Sequence, residues 1–279
     1  MVRTQTRFVV LPPATHALPS IFRKVDTDGR RHEALFSEMQ RFRGSIYLAD
    51  GAIQSHELTP DGRHDLGVDR HSWHVLSLDS YGRVSACLRY MAAKQFKLFG
   101  DLSVRHSALA KCPTLGERFR TAVELGMQEA RQMRIGFGEV GGWAVAESFR
   151  RTMEPLRIIL ATYGLLNLLG GSAGVATATF RHSSAAILRR IGLSSLLTDG
   201  RELPPYFDPQ YRCQMEVLQF DSRYPNPKYC DMVCELAADL LEAPVICRND
   251  SFVPAMQDVT GVFDTVAPAV AERQLVYAA

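Results

Sequence analysis

Glu139 lies in Gly136-Phe137-Gly138-Glu139-Val140-Gly141-Gly142-Trp143-Ala144-Val145, an apolar run crowded with glycine. A carboxylate among Phe, Val and Trp is costly to bury unless something pairs with it or uses it. Partial burial would raise its pKa toward that of a general base. A glutamate on the solvated face of an edge strand, or one paired with Arg89 for structure, fits the same residues. Glycine inside a strand weakens it, so the glycines point to a bulge or to close approach by another backbone or a ligand. Just downstream, Glu147-Ser148-Phe149-Arg150-Arg151-Thr152 joins this run to a helical segment. Free helix N–H groups and two guanidinium groups would converge there, where a phosphate could sit; solvated surface arginines fit that loop as well.

Other chemistries lack their local signs. The eight histidines are scattered without a His-Glu-x-x-His, and of the six cysteines Cys230 and Cys234 are four apart, not in a Cys-x-x-Cys, so no metal site is expected. No Gly-x-x-x-x-Gly-Lys-Ser/Thr loop is present. With 32 Lys and Arg against 30 Asp and Glu in 279 residues, the net charge of +2 is too even for a chain whose main partner is a nucleic acid. The nearly apolar run at residues 158–169 falls short of the ~20 residues that span a bilayer, so no transmembrane segment is expected and a cytoplasmic location is the default.

These residues need elements to hold them. Residues 1–30, broken by Pro12, Pro13 and Pro19, read as an irregular arm. From His32 to Arg43 the positions Leu35, Phe36, Met39 and Phe42 recur at three and four, the stripe of a helix, and Ile46-Tyr47-Leu48 stays open between helix and strand. Residues 72–78 and 83–90 make a strand hairpin, the second strand alternating Val84, Ala86 and Leu88 with Arg83, Ser85, Cys87 and Arg89, so that Arg89 falls on a polar face. Thr114-x-x-Glu117 has capping-box spacing ahead of a helix to Met133. The glycine-rich strand follows, then a helix over 155–169 ending at Gly170-Gly171, a strand over 174–180, and a short helix capped by Ser183 or Ser184 and stopped by Gly192. A last strand spans 214–220 and a last helix runs from about Pro227 to Leu241. This order makes a mixed α/β (α+β) domain over 31–222, with 223–279 as a C-terminal helix and tail. The strands ending at Val145 and Phe180 should be parallel neighbours; splayed apart, they would offer backbone groups to an amide-containing arm such as pantetheine.

The set Arg43 with Tyr47, Asp69, Arg89 in Cys87-Leu88-Arg89-Tyr90, and Glu139 followed by Trp143-Ala144-Val145, then a basic loop and helix, a strand and His182-Ser183-Ser184-Ala185-Ala186-Ile187, resembles the GNAT acyltransferase fold. Within it the order most resembles the acyl-homoserine-lactone synthases and long-chain N-acyl amino acid synthases, over about residues 35–221. Two places depart from the family's pattern. Gly141-Gly142 stands where the synthases usually carry Ser-Arg, and Arg151-Thr152-Met153-Glu154-Pro155 replaces the Arg/Gln-x-x-Gly-x-Gly/Ala loop of ordinary acetyltransferases. They point away from homoserine lactone formation and from acetyl-coenzyme A, toward a longer acyl chain.

The resemblance implies an N-acyltransferase with a GNAT-like central sheet, flanking helices and a splayed strand pair. It would hold no tightly bound cofactor and would use acyl-CoA or acyl-ACP as co-substrate. A backbone N–H near Ala144 or Val145 would polarise the thioester carbonyl, an oxyanion-hole role worth about 3 kcal/mol. Glu139 would take the proton of an incoming amine, Arg89 would hold the acceptor carboxylate, and Arg43, Tyr47, Asp69 and Trp143 would shape the pocket. Arg150, Arg151 and Thr152 would meet the donor's phosphates, and Tyr206 or Tyr211 could protonate the leaving thiolate, although a buried or rim tyrosine fits both positions as well. The donor's chain would ride on an acyl carrier protein or on coenzyme A; separately, the poorly patterned tail after Pro244 could be an arm onto a partner subunit in a homodimer. The same fold could also serve a short-chain acetyltransferase or a non-catalytic ligand-binding module.

Overall fold

The computed structural model of the chain describes residues 6–14, 18–92 and 98–248. In chain order the elements are β1 (Arg7–Leu11), β2 (Lys24–Asp26), α1 (Gly29–Ala49), β3 (Trp73–Leu78), β4 (Val84–Ala92), α2 (Gly116–Gln132), β5 (Gly136–Val145), α3 (Glu154–Leu168) and β6 (Ser172–Thr179). They continue as α4 (Ser184–Ile191), β7 (Ser194–Ser195), β8 (Leu197–Thr198), β9 (Arg201–Glu202), β10 (Tyr206–Asp208), β11 (Cys213–Asp221), α5 (Cys230–Glu242) and β12 (Pro244–Ile246). The described residues form two compact units, the first within 6–91, 141–162 and 235–248, the second within 92–140 and 163–234.

The first unit carries strands in the order β5-β4-β3-β1-β12-β2. The stretch expected to be an irregular arm supplies two of them. Phe8-Val9-Val10-Leu11 is too short to show a period, yet it pairs antiparallel with β3 and, through Val10 and Val245, parallel with β12. The tail likewise begins with a strand, β12, and the arm onto a partner subunit expected beyond it falls on residues 249–279, outside the described ones.

The β3–β4 hairpin turns at Asp79, whose carboxylate accepts from the Tyr81 and Arg83 N–H groups, and at Gly82 with φ +79°. Its second strand is buried on both faces, not half-exposed as its alternation suggested, with Ser85, Cys87 and Arg89 at 3%, 1% and 8% exposure. The reason is a layer on each side. Phe36 and Met39 of α1 pack with Val9, Leu11, Leu76, Leu78, Cys87 and Ala144. On the face to which Ser77 points, its hydroxyl donates to Glu154 at the start of α3, which also accepts from the Thr6 hydroxyl at 2.9 Å. Helix α1 starts at an Asp28 cap that accepts from the Arg30 and Arg31 N–H groups, and it runs on through Ile46-Tyr47-Leu48.

The second unit carries β10-β11-β6-β5, with β5 and β6 parallel and β6, β11 and β10 successively antiparallel. Phe119, Val123 and Met127 of α2 cover one face against Phe137, Val175, Met215 and Val217. On the other, Arg189 of α4 pairs with the buried Glu216. Gly174 lets β6 close on β5: a Cβ there would fall 2.0 Å from the Gly138 carbonyl oxygen. The parallel ladder holds from Gly136–Ser172 to Val140–Ala176 and stops, although β5 runs on to Val145 and β6 to Thr179.

Two expected caps take other forms. Thr114 makes no capping bond to α2 and pairs with the Cys112 thiol instead. A backbone turn, Gly116 N–H to the Cys112 carbonyl, starts that helix. Ser183 precedes α4 in a left-handed conformation without a side-chain cap bond.

Candidate acyl-transfer site

In the first unit α1, the loop after it and the hairpin bring together the residues singled out by type. Arg43, Gln40 and His32 line the inner face of α1 and are buried. Asp69, wholly buried, accepts from Arg43 at both oxygens, Oδ1 from Nη1 at 3.0 Å and Oδ2 from Nη2 at 2.6 Å. Its Oδ1 also accepts from Arg89 Nη1 at 3.1 Å, and its Oδ2 from Gln40 Nε2 at 3.1 Å and the Leu66 N–H at 3.3 Å. Arg43 donates further to the His64 carbonyl, and His74 Nε2 lies 2.9 Å from the Asp69 carbonyl.

The electrostatics follow from this packing. Burial pushes the Asp69 pKa up, but the Arg43 charge and hydrogen bonds, with His74 and Arg89, outweigh it and hold the carboxyl well below its usual range. Burial, then the Arg43 charge, lowers His64 to about 4; burial also brings His74 to about 4, with Arg43 and Arg89 adding to it. Both imidazoles are therefore neutral at pH 7, and two guanidinium groups share one carboxylate. Arg89 keeps spare donors: its buried Nε has no hydrogen-bond partner among the described residues. Cys87 beside them is an inert thiol, pushed up to about 12 by burial.

The glycine pair now has a physical reason. Gly142 has φ +63°, and a Cβ on it would lie 3.3 Å from both Arg43 Nη1 and Arg89 Cβ. A Cβ on Gly141 would lie 3.4 Å from Arg89 Nη2. A larger residue at 142 would contend with both arginines and adopt a strained backbone. Tyr47 donates its hydroxyl to the Trp143 carbonyl at 3.2 Å, while the Trp143 indole N–H is buried without a partner among the described residues. Ala144 and Val145 are buried at the end of β5.

The polar groups of the loop after β5 are largely engaged within the chain. Arg150 is taken by Asp50, in bonds of 3.1 and 2.9 Å, and by the Val145 carbonyl at 3.2 Å. Thr152 accepts from the Glu154 N–H, and Glu154 puts a carboxylate in the first turn of α3, where an anion would have to sit. Arg151 is exposed.

In the second unit Glu139 is 5% exposed and accepts from the Val104 N–H at 2.7 Å, so it is neither solvated nor Arg89's partner. Tyr206 is buried among Val104, Leu203 and Met215, with Tyr211 packed at the edge of that cluster. Burial, then the nearby Asp208, raises the Tyr206 phenol well above its ordinary value. A phenol so shifted is a poor proton source for a thiolate, and its place in the apolar cluster fits the reading of Tyr206 as a buried core residue. Gln40, His64, His74 and Asp50 had not been anticipated. For Gln40 the signal was there, one position beyond Met39 on the α1 stripe.

No protein-family model matches the chain, and no curated protein does. Solved structures do. A CoA-dependent acyl-homoserine lactone synthase, BjaI, with SAM and isopentyl-CoA, aligns over 94% of this chain and 99% of its own at TM-score 0.53 and 12% identity. The CoA-dependent acyl-homoserine lactone synthase MesI follows at TM-score 0.49 and 14% identity, over 83% and 95% of the two chains. FeeM, an N-acyl amino acid synthase from uncultured soil microbes, aligns at 0.43 and 10%, over 82% and 95%. The chain thus has the GNAT-like acyltransferase fold expected from its ordered residues.

Proposed function

We propose that the protein is an N-acyltransferase that moves a medium or long acyl chain from a thioester of coenzyme A or acyl carrier protein to the amine of an amino acid or a related small acceptor. The fold supports acyl transfer, and Arg89 supports the acceptor class. It is a buried guanidinium with one shared carboxylate partner and an unpartnered Nε, beside glycines that leave room at its free edge. Such a group suits a bidentate carboxylate. That surplus donor is the observation that carries the proposal.

The chemistry needs no covalent enzyme intermediate. The acceptor nitrogen attacks the thioester carbonyl carbon, a backbone N–H at the end of β5 steadies the oxyanion, and the C–S bond breaks. Glu139, in the same strand, takes the proton from the attacking nitrogen, and the thiolate leaves to be protonated by solvent. Arg43 and Asp69 do not touch the reacting atoms and hold Arg89 in place.

The test is turnover of thioesters of about two, eight and sixteen carbons with a panel of amino acids by the purified protein. The longer donors should be preferred, and Glu139→Gln should lower kcat by about a hundredfold. Arg89→Met should raise the acceptor KM and leave the donor KM unchanged. Preference for the two-carbon donor would replace this reading with that of an acetyltransferase.

A further inference from the structure

The C-terminal half of β5 is the last strand of the first unit's sheet on its side, so one of its edges has no partner strand within that unit. The Ala146 N–H bonds to the Ser85 carbonyl of β4, which fixes the strand's phase there. Because N–H and C=O directions alternate along a strand, Trp143 and Val145 turn both their backbone groups to the other edge, the one without a partner strand in this unit. Such an edge should present donors and acceptors alternately. Here both carbonyls are spoken for: Tyr47 donates to Trp143 O at 3.2 Å and Arg150 Nε to Val145 O at 3.2 Å. Arg150 is itself fixed by its two bonds to Asp50, one residue beyond α1. The residues that occupy the two carbonyls thus come from one end of α1 and from the loop that latches onto it.

We infer that Tyr47 and Arg150 are positioning residues that make this edge a donor-only strip, leaving the Trp143 and Val145 N–H groups to receive the carbonyl oxygens of the acyl donor's thioester and amide arm. The inference rests on the acyl-transfer reading and assigns Arg150 to the strand backbone, not to a phosphate. Tyr47 keeps the strip at one carbonyl and Arg150 at the next, and Asp50 acts through Arg150. A donor whose amides present their N–H groups to this edge would meet carbonyl oxygens that each already hold one donor, which biases the arm's orientation.

The experiment combines kinetics with amide hydrogen exchange on the full chain and on Arg150→Gln, Arg150→Lys, Asp50→Asn and Tyr47→Phe. Donors are an octanoyl-CoA and an octanoyl-pantetheine that lacks the nucleotide phosphates. Expected is faster exchange over residues 142–147 in Arg150→Gln and Tyr47→Phe. Their kcat should fall about tenfold or more with both donors, with the acceptor KM unchanged and partial rescue by Arg150→Lys. A defect confined to the KM of octanoyl-CoA would overturn the proposal in favour of phosphate binding. Exchange and kcat unaltered in both variants would overturn it as well. Wild-type protein inert toward every thioester would sink the functional reading instead, and exchange alone would then decide whether the two side chains hold the strand.

Discussion

Asp69 is the carboxylate that two guanidinium groups depend on, and Arg43, fully buried, has no other anionic partner among the described residues. Removing one member of a buried pair leaves the other charged and desolvated, so Asp69→Asn should cost roughly 3–5 kcal/mol in urea unfolding. The Arg43→Met/Asp69→Leu double variant should cost less than Asp69→Asn, since it leaves one buried guanidinium, Arg89, unpaired instead of two. A second prediction concerns protons. His64 and His74 have folded pKa values lowered from 6.5 to about 4, so below about pH 6.5 the unfolded chain binds more protons than the native one. Stability should therefore fall as pH drops from 6.5 to 4 and level off below, until Asp69 begins to protonate. Unfolding midpoints at pH 7.5, 5.5 and 4.5 measure this, and His74→Gln should flatten the slope. Arg43, Asp69 and Arg89 were legible because charged residues in that order leave a trace in residue type. His74 was not, because its partner is a backbone carbonyl, which any residue supplies. For Tyr206 the sequence left core residue and proton donor both open, because flanking a strand says nothing about which side of it is covered.

Elements built from periodic apolar stripes, α1 and α2 among them, could be placed from the sequence, while those defined by distant partners could not. Strand β1 is the clearest case: its four apolar residues acquire meaning only from β3 and β12 on its two sides. Val9→Asp would put an uncompensated charge at a site 1% exposed, and should abolish the cooperative thermal transition. The start of α2 was misread for a related reason. A Cβ on Gly116 would lie 2.5 Å from the Ala110 carbonyl oxygen, so the preceding chain folds back as a turn and a side-chain cap has no role. At β5, Gly142→Ala combines a φ of +63° with two 3.3 Å contacts and should cost about 1–3 kcal/mol, read from the urea midpoint. Because those contacts are with Arg43 and Arg89, the same variant should weaken acceptor binding.

The two units are not successive along the chain: β5, α3 and α5 each begin in one and end in the other. An element that spans both cannot melt in one and persist in the other without breaking its own hydrogen bonds, so unfolding should be a single transition. Both tryptophans, Trp73 and Trp143, belong to the first unit, whereas far-UV circular dichroism reports on all helices. Coincident midpoints from the two signals are expected; separated midpoints would mean that the shared elements split. The order of strands also bears on how the protein is made. β1 leaves the ribosome first of the described strands and β12 last, yet they are neighbours. Throughout synthesis the nascent amino-terminal segment must wait with one side bare, a template for stray pairing with other chains. Translation halted before Pro244 should therefore yield inclusion bodies, and chaperones that hold incomplete polypeptides should govern the yield of the finished protein.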